Sequence, residues 1–331
     1  MKTNHILYTA DHNYFPHMLT SIYSLAENNK DSHLTIHIIE DKFTKEDIEF
    51  LDQLDSLYGN IKIKIYPFEN LNNLMSEFDI PKWKDTSIAN ARLFANELID
   101  DVDQILYLDS DTIIVNSLDE LFSKKIGTPL AAAKEILIPP HLHKLNNEYK
   151  KEDIKKYYNS GVLLFNYDLW YQEDCLDELY AVAQNYNKEL IYPDQDLINL
   201  AFSNKIEDLS LDYNIIPLAK ELEKHKLLAR KFLNDRPFYY SYKEVIDSLK
   251  NKHIFHALSY LGSQAWEDSK VHPFHQEYLN YRKLWDPNFI PCKEEQHKKY
   301  YQIPWISDLN LAVKTLVKEE THNKIKQKLK K

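Results

Sequence analysis

"ILYLDSDTIIV", residues 105–115, is an apolar segment that two carboxylates interrupt. Because side chains alternate across a strand, Asp109 and Asp111 are predicted to point to the same side. At a separation of about 4 Å and an effective dielectric constant of about 20, two like charges repel by roughly 4 kcal/mol. One interpretation is a polar turn where a buried strand reaches the surface. The other is a divalent cation between the carboxylates, because hard cations such as magnesium and manganese take oxygen ligands.

The segments on both sides of this stretch alternate between strand and helix patterns. Apolar runs predict strands at 4–10, 34–40, 61–68, 105–109 and 161–166, and short elements at 117–122 and 130–134. Amphipathic patterns predict helices at 15–29, 44–57, 87–99, 168–186 and 194–203. This order predicts βαβ units and an α/β fold with a mostly parallel sheet, in which ligands bind beyond the carboxyl ends of the strands. The polar segment 137–158 is predicted to form a loop or lid over that edge.

Composition limits the function classes. A chain of 331 residues with 44% hydrophobic residues can bury a full core. It opens directly on a strand-like segment and has no apolar run long enough to cross a bilayer, so we expect neither a leader nor a membrane span. Cys175 and Cys292 lie far apart, which favours a reducing, cytoplasmic setting. The sequence has no G-x-G-x-x-G and no P-loop, which disfavours dinucleotide enzymes and P-loop kinases.

Charge is unevenly distributed along the chain. The net charge of −10 argues against nucleic acid as a partner, because that binding needs Lys and Arg against phosphates. Residues 297–331 nevertheless hold nine Lys and three acidic residues. A helix predicted at 306–318 has an apolar stripe and follows Tyr300, Tyr301 and Trp305. Basic residues beside aromatic ones predict peripheral contact with an anionic membrane, and an ordinary helix packed on the body is the alternative.

Six short motifs follow one another along about 260 residues. They are "YTADHNYF" at 8–15, "ARLF" at 91–94, "YLDSDTIIV" at 107–115, "NSGVLLFN" at 159–166, "YPDQDLIN" at 192–199 and "FHALSYLGSQAW" at 255–266. In this order they resemble the retaining glycosyltransferases of family 8, which include bacterial galactosyl- and glucosyltransferases that build lipooligosaccharide, capsule and protein-linked glycans. The resemblance implies a Rossmann-like A-type (GT-A) glycosyltransferase domain at 1–270 and a small helical C-terminal extension with the basic tail at 271–331.

The resemblance also implies an activity. It is the metal-dependent transfer of galactose or glucose from a UDP-sugar to a saccharide or glycan acceptor, in cell-surface polysaccharide or glycoprotein assembly. Asp109 and Asp111 would bind Mn²⁺ or Mg²⁺ together with His256, and the cation would neutralise both carboxylates and the UDP diphosphate. His253 is a rival ligand, but His256 is preferred because it ends the apolar run, as a ligand at the carboxyl end of a strand should.

Three residues are expected to act on the donor sugar. By resemblance, Asp194 and Gln195 lie below its anomeric carbon, and Arg92 lies near the sugar and the metal carboxylates. Asp196 is expected to be a first-turn acid of the helix. A helix cap is the alternative for Asp194, Gln195 and Asp196 together, and a surface helix arginine is the alternative for Arg92. We expect front-face attack, in which the leaving phosphate takes the acceptor's proton while Gln195 and Asp194 stabilise the oxocarbenium-like sugar.

The remaining candidates are expected to bind the donor. Asp11 and Asn13 would contact the uracil edge while Tyr14 stacks on its face, with an Asx-type turn before the first helix as the alternative. Glu135 stands where relatives often have an aspartate. The other predicted donor-binding residues are Ser110, Asn159, Gly161, Gly262 and Gln264.

One motif departs from the family pattern. Relatives usually read His, a short spacer, Gly and then Lys-Pro-Trp, with the lysine on the donor diphosphate. Here the spacer is longer, and alignment on Trp266 puts Gln264 in place of the lysine and Ala265 in place of the proline. Either another cation replaces the lysine, with Lys270 and the basic residues of 220–231 as candidates, or the enzyme is slow or acceptor-gated.

Two other function classes stay open from the sequence. "ILYLDSDTI" also resembles the nucleophile loop of haloacid-dehalogenase-like phosphatases, with Asp109 as the nucleophile. That loop usually lies on the first strand of its domain and carries Thr or Val four residues after the first Asp, where this chain has Ile113. The third class is a non-catalytic sugar-nucleotide-binding partner of another transferase.

Overall fold

Nine strands and eleven α-helices form the described part of the chain. The computed structural model describes residues 3–83, 86–139, 141–148, 154–186, 188, 190–203, 205–224, 238–260, 262–268 and 272–292. The strands are β1 Thr3–Asp11, β2 His33–Asp41, β3 Ile61–Pro67, β4 Gln104–Leu108, β5 Thr112–Ile114, β6 Leu130–Lys134, β7 Tyr158–Asn166, β8 Ile206–Asp208 and β9 Ile254–His256. The helices are α1 Phe15–Asn28, α2 Lys45–Leu57, α3 Asn72–Phe78, α4 Asp119–Ser123, α5 Leu142–Glu148, α6 Tyr167–Gln172, α7 Cys175–Tyr186, α8 Pro193–Ala201, α9 Pro217–Lys224, α10 Tyr242–Lys250 and α11 His275–Trp285.

Seven strands form one mixed sheet in the order β3-β2-β1-β4-β7-β6-β8. The first four are parallel, β7 runs antiparallel to both of its neighbours, and β6 and β8 are parallel. The pair β5 and β9 forms a separate antiparallel ribbon. This arrangement confirms the predicted α/β class with a mostly parallel sheet.

Both faces of the sheet are covered, which explains why its central strands are apolar throughout. Leu7, Ile105 and Tyr107 belong to a core on one face, and the alternating Ile6 and Leu106 belong to a core on the other. A third cluster packs around the ribbon of β5 and β9. The parallel strands therefore bring their carboxyl ends to one edge, where the antiparallel β7 begins and the ribbon adjoins the sheet.

Some element predictions were wrong in detail. The two carboxylates lie in a turn and not along a strand: β4 ends at Leu108, and Thr112 N–H donates to Asp109 O at 3.1 Å across the turn before β5. The predicted helix at 87–99 is two 3₁₀ helices, Ile88–Leu93 and Ala95–Glu97. Side chains repeat every three residues in a 3₁₀ helix, which resembles the spacing of one α-helical face.

The predicted boundary between the transferase domain and the C-terminal extension, at residue 270, falls shortly before α11 in the sequence. There α11 packs along α1, and Trp285 Nε1–H donates to Thr20 Oγ1 at 3.1 Å. Residues 293–331, which include the predicted helix at 306–318, lie outside the described residues. The two predicted domains and the basic tail stay predictions. Among the described helices, none combines the length and the apolar character that a bilayer crossing needs.

Candidate active site

Backbone pairing positions two acidic side chains and one histidine at the edge of the sheet. Asp109 N–H donates to Gly161 O at 2.8 Å, which ties the turn to β7. Ala257 N–H donates to Asp111 O at 2.9 Å, and Thr112 pairs with His256 across the ribbon. The last two contacts join segments that are about 145 residues apart in the sequence.

The three side chains converge on one point. His256 Nε2 lies 3.3 Å from Asp109 Oδ2 and 3.2 Å from Asp111 Oδ1, and one ligand atom from each residue falls within 4.8 Å of the others. The carboxylates are partly exposed, whereas His256 is buried and its Nε2 has no hydrogen-bond partner within the described part of the chain. Two carboxylate oxygens and an imidazole nitrogen are a donor set that fits manganese or magnesium. This group, Asp109, Asp111 and His256, is called the acidic triad below.

The rival histidine lies elsewhere. His253 Nδ1 is 2.7 Å from Ser117 O, and its ring stacks on Tyr213 with centroids 4.7 Å apart. His253 lies just before β9, three residues from His256, and these contacts direct its side chain away from the carboxylates. The structure therefore brings His256, not His253, to the two carboxylates.

Arg92 is buried beside the triad. Its Nη1 donates to Asp109 Oδ1 and to Ser160 O, both at 2.8 Å, and lies 3.5 Å from Asp194 Oδ2. Its guanidinium lies 4.2 Å from the centroid of the Tyr107 ring, and Tyr107 Oη–H donates to Asp109 Oδ1 at 2.5 Å. The predicted neighbourhood of Arg92, Asp109 and Asp194 is present, and a surface arginine is excluded by its burial.

Opposite charges shift the pKa values in the triad. Burial raises the pKa of Asp109, but the charges of Arg92 and His256 and the hydrogen bond from Tyr107 outweigh it and hold the pKa well below its usual range. Burial lowers the pKa of His256, but Asp111 and Asp109 together raise it to about 10. Two carboxylates thus create a strong demand for positive charge at this point.

A hydrogen-bonded floor adjoins the triad. Gln195 Oε1 accepts from Ser160 N–H at 3.0 Å, and its Nε2–H donates to Glu135 Oε1 at 3.4 Å. Asn159 Nδ2–H donates to the same Glu135 oxygen at 2.8 Å. Burial raises the pKa of both Glu135 and Asp194. The floor therefore offers a fixed amide and two carboxylates in a water-poor setting beside Arg92.

The start of α8 is held by a different carboxylate. Asp196 is fully buried and accepts from Ile191 N–H at 2.7 Å and Tyr192 N–H at 2.8 Å. His141 Nε2 lies 2.9 Å from its Oδ1, and Tyr157 Oη–H donates to the same oxygen. Asp196 thus anchors the turn that presents Asp194 and Gln195.

The first motif forms the turn that was the alternative to nucleotide contact. Asp11 Oδ1 accepts from Tyr14 N–H at 3.0 Å, Asn13 is exposed, and Pro16 lies in the first turn of α1. Tyr14 lies edge-on to Trp266 with centroids 6.3 Å apart. The uracil contacts of Asp11, Asn13 and Tyr14 stay predictions, because the turn accounts for Asp11 without a ligand.

The last motif forms a tight loop. Gly262 has φ 84°, a left-handed conformation that favours glycine, and Gln264 N–H donates to Glu267 Oε2 at 2.8 Å. Trp266 stacks on His17 with centroids 3.7 Å apart, which fastens the loop to α1. The candidate replacement cations Lys270 and residues 225–231 lie outside the described residues.

Ser110, between the two carboxylates, is buried, and its Oγ–H donates to Thr9 O at 3.2 Å.

Two residues at the site were missed in the sequence. Tyr107 contacts Asp109 and Arg92, and strand alternation from Asp109 could have indicated it. Asn214 contacts His256 and Asn159, and no local motif marks it. Its position follows only from how the segment after β8 packs against β9.

Comparisons with known proteins agree with this geometry. The model of the family described as "Glycosyl transferase family 8" matches residues 5–235. A lipopolysaccharide 1,2-glucosyltransferase of Escherichia coli is 31% identical over 247 residues, which are 73% of this chain and 71% of that protein. A putative glycosyltransferase of Haemophilus influenzae is 29% identical over 236 residues, or 69% of this chain and 68% of that protein.

Solved structures show the same fold. The galactosyltransferase LgtC in complex with donor and acceptor sugar analogs has a TM-score of 0.68 at 20% identity, covering 85% of this chain and 95% of that one. The glycosyltransferase GlyE of Streptococcus pneumoniae has a TM-score of 0.60 at 20% identity, covering 87% of this chain and 62% of that one. These likenesses confirm the predicted A-type glycosyltransferase fold.

Proposed function

This chain belongs to glycosyltransferase family 8, and on that premise we propose that it transfers glucose or galactose from a UDP-sugar to a saccharide or glycan acceptor with retention of configuration. The observation that carries the proposal is the acidic triad beside Arg92 and Asp194. The relatives named for lipopolysaccharide glucosyl transfer and the LgtC galactosyltransferase fold support a hexose donor and an acceptor in cell-surface glycan assembly.

The acidic triad would hold the cation. Asp109, Asp111 and His256 fit Mn²⁺ or Mg²⁺, because a buried imidazole nitrogen without a hydrogen-bond partner faces two carboxylates. The bound cation would neutralise the UDP diphosphate as negative charge develops on the leaving group. Arg92 holds Asp109 in place through a short ion pair and adds a fixed positive charge next to it.

The floor residues would act on the sugar. We propose that Gln195 and Asp194 stabilise the oxocarbenium-like transition state from below, while the leaving phosphate takes the acceptor's proton at the front face. Gln195 is a neutral amide held by Ser160 N–H and Glu135, which supports an electrostatic role over a nucleophilic one. Asn159, Gly161 and Glu135 would line the donor sugar, and Asp11, Asn13, Tyr14, Ser110 and Gly262 the nucleotide.

Two alternative functions were left open by the sequence, a phosphatase and a non-catalytic binding partner. Family membership and the A-type fold argue against a haloacid-dehalogenase-like phosphatase with Asp109 as nucleophile. In addition, Asp109 is paired with Arg92 and bonded by Tyr107, which lowers its nucleophilicity. A non-catalytic sugar-nucleotide-binding partner differs from the enzyme only in turnover. The predicted cytoplasmic setting and the membrane contact through the basic tail stay predictions.

A thermal-shift panel tests the donor. We expect UDP-glucose or UDP-galactose with Mn²⁺ to raise the Tm most among UDP-hexoses and their N-acetyl forms. At a hundredfold excess over Kd, binding to the folded state adds about 2.7 kcal/mol, which corresponds to about 4 °C at an unfolding entropy of ~2.1 cal/mol/K per residue. ADP-glucose with Mn²⁺ is the matched control. A panel in which no UDP-sugar raises the Tm would contradict the proposed donor class.

The substitution Gln264→Lys tests the departure from the family pattern. A lysine aimed at the diphosphate supplies a charge that the amide lacks, so we expect UDP to bind roughly fivefold more tightly, a gain of about 1 kcal/mol. Isothermal titration with UDP and Mn²⁺ measures this gain.

The expected result is different if another basic side chain already occupies the position of the family's lysine. In that case Gln264→Lys leaves UDP affinity unchanged, and Lys270→Ala or Arg230→Ala weakens it. An affinity that none of the three substitutions changes would show that the alignment of this loop on Trp266 is wrong.

A further inference from the structure

The second ring nitrogen of His256 has a buried partner. His256 Nδ1 lies 3.1 Å from Asn214 Oδ1, and both residues are at most 2% exposed. On the other side, Asn214 Nδ2 lies 2.8 Å from Asn159 Oδ1. Asn214 thus lies between the acidic triad and the residues that line the donor-sugar floor.

The directions of these hydrogen bonds are fixed from one end. Gly161 N–H is a backbone donor and lies 2.9 Å from Asn159 Oδ1, so that atom is the amide oxygen. Asn159 Nδ2–H consequently faces Glu135, whose carboxylate accepts. Because Asn159 presents its oxygen to Asn214, Asn214 must donate through Nδ2 and turn its own oxygen to His256.

This order of donors determines which nitrogen of His256 carries hydrogen. An amide oxygen only accepts, so Nδ1 must be the protonated nitrogen. In the neutral imidazole, Nε2 then bears the lone pair, and Nε2 is the atom that faces Asp109 and Asp111. A backbone N–H thus selects the metal-binding tautomer through two amide side chains.

Main-chain contacts hold Asn214 at this place. His253 N–H donates to Asp212 O at 2.9 Å, Ile215 N–H to Ile254 O at 3.0 Å, and His256 N–H to Ile215 O at 2.9 Å. The segment 212–215 therefore runs beside β9 in register. Pairing with β9 thus holds the backbone of Asn214 in place, and Asn159 orients its side-chain amide.

From this arrangement we propose that Asn214 is a positioning residue: it fixes the tautomer and ring orientation of His256 for a divalent cation and links the acidic triad to the donor-sugar floor. The proposal rests on the proposed metal site. Hydrogen-bond partners of metal-bound histidines commonly change metal affinity 10- to 100-fold.

Three variants test this role through metal affinity. Manganese EPR, which detects free Mn²⁺, is recorded on the full chain as Asn214→Leu, Asn214→Asp and the control Asn29→Leu. Asn29 is also a buried amide with two main-chain partners, but it caps the far end of α1. We expect Asn214→Leu to weaken Mn²⁺ binding about 10- to 100-fold. Asn214→Asp, which keeps an acceptor for Nδ1 but loses the donor to Asn159, should weaken binding less than Asn214→Leu does. Asn29→Leu should stay within about threefold of the wild type.

A spectroscopic measurement reads the tautomer of His256 in the wild type itself. In ¹⁵N-histidine-labelled wild type with Mg²⁺, the proposal requires a pyrrole-type Nδ1 and no hydrogen on Nε2 for His256, assigned from its loss in His256→Ala. A hydrogen on Nε2, equal Mn²⁺ affinity in Asn214→Leu and wild type, or an equal loss in Asn29→Leu would overturn the role of Asn214 alone. A wild type that binds no Mn²⁺ would overturn the metal site itself.

Discussion

Replacing Asp109 or Asp111 by Asn is expected to lower sugar transfer about a thousandfold or more. Each change removes a negatively charged oxygen ligand from the acidic triad, and with it the charge that holds a cation against the leaving diphosphate. Transfer from UDP-glucose or UDP-galactose with Mn²⁺ measures the loss, and Mn²⁺ binding should fall with it. Excess EDTA should have the same effect on the wild type, and added Mn²⁺ should restore it.

The two substitutions differ in their side effects. Asp109 also pairs with Arg92, so Asp109→Asn leaves a buried guanidinium with the more distant Asp194 as its counter-charge among the described residues, and stability should fall as well. Asp111→Asn is the cleaner test of the metal. The exposed Asp52→Asn in α2 is the control and should be inert. Full activity in excess EDTA would refute metal dependence.

Gly161→Ala is expected to disable the triad without touching a ligand. A Cβ at this position would lie 2.1 Å from Cε1 of His256, 2.6 Å from Nδ1 and 2.8 Å from Nε2. His256 is buried and cannot simply rotate away, so the ring must shift and lose its position against Asp109 and Asp111. We expect Mn²⁺ affinity to fall at least tenfold and the free energy of unfolding to fall by about 1–3 kcal/mol.

Two further variants show whether the effects of Gly161→Ala come from the contact of its methyl group with His256. Gly127→Ala should change nothing, because no atom lies within 4 Å of a Cβ there. In a His256→Ala background the added methyl has room, so the stability cost of Gly161→Ala should disappear in the double variant. A Gly161→Ala protein that binds Mn²⁺ like the wild type would show that His256 does not need its present position.

Local patterns predicted the fold class well and the details less well. The apolar alternation of β1 to β4 and the amphipathic helices between them are properties of short segments, so the sequence contains them. The turn from Asp109 to Asp111 could not be predicted in this way, because the apolar residues on both sides of it are equally compatible with one long strand. Pairing of β5 with β9, which lies far along the chain, makes the chain leave the sheet at Leu108.

The site was predictable to the extent that family motifs mark it. Spacing alone cannot place His256 beside Asp109, because about 145 residues separate them and only the ribbon joins them. The resemblance supplied that pairing, as it supplied Arg92, Asp194 and Gln195. Asn214 lies in no such motif, and its role depends on the register between segment 212–215 and β9.

The most direct test of the whole account is release of UDP and free hexose from UDP-glucose or UDP-galactose, followed by chromatography with Mn²⁺ and with EDTA. We predict slow release of both products with Mn²⁺, no release in EDTA, and none from Asp111→Asn under either condition. Release that continues in EDTA, or phosphate release from a simple phosphoester in place of UDP release, would contradict a metal-dependent UDP-hexose transferase centred on Asp109, Asp111 and His256.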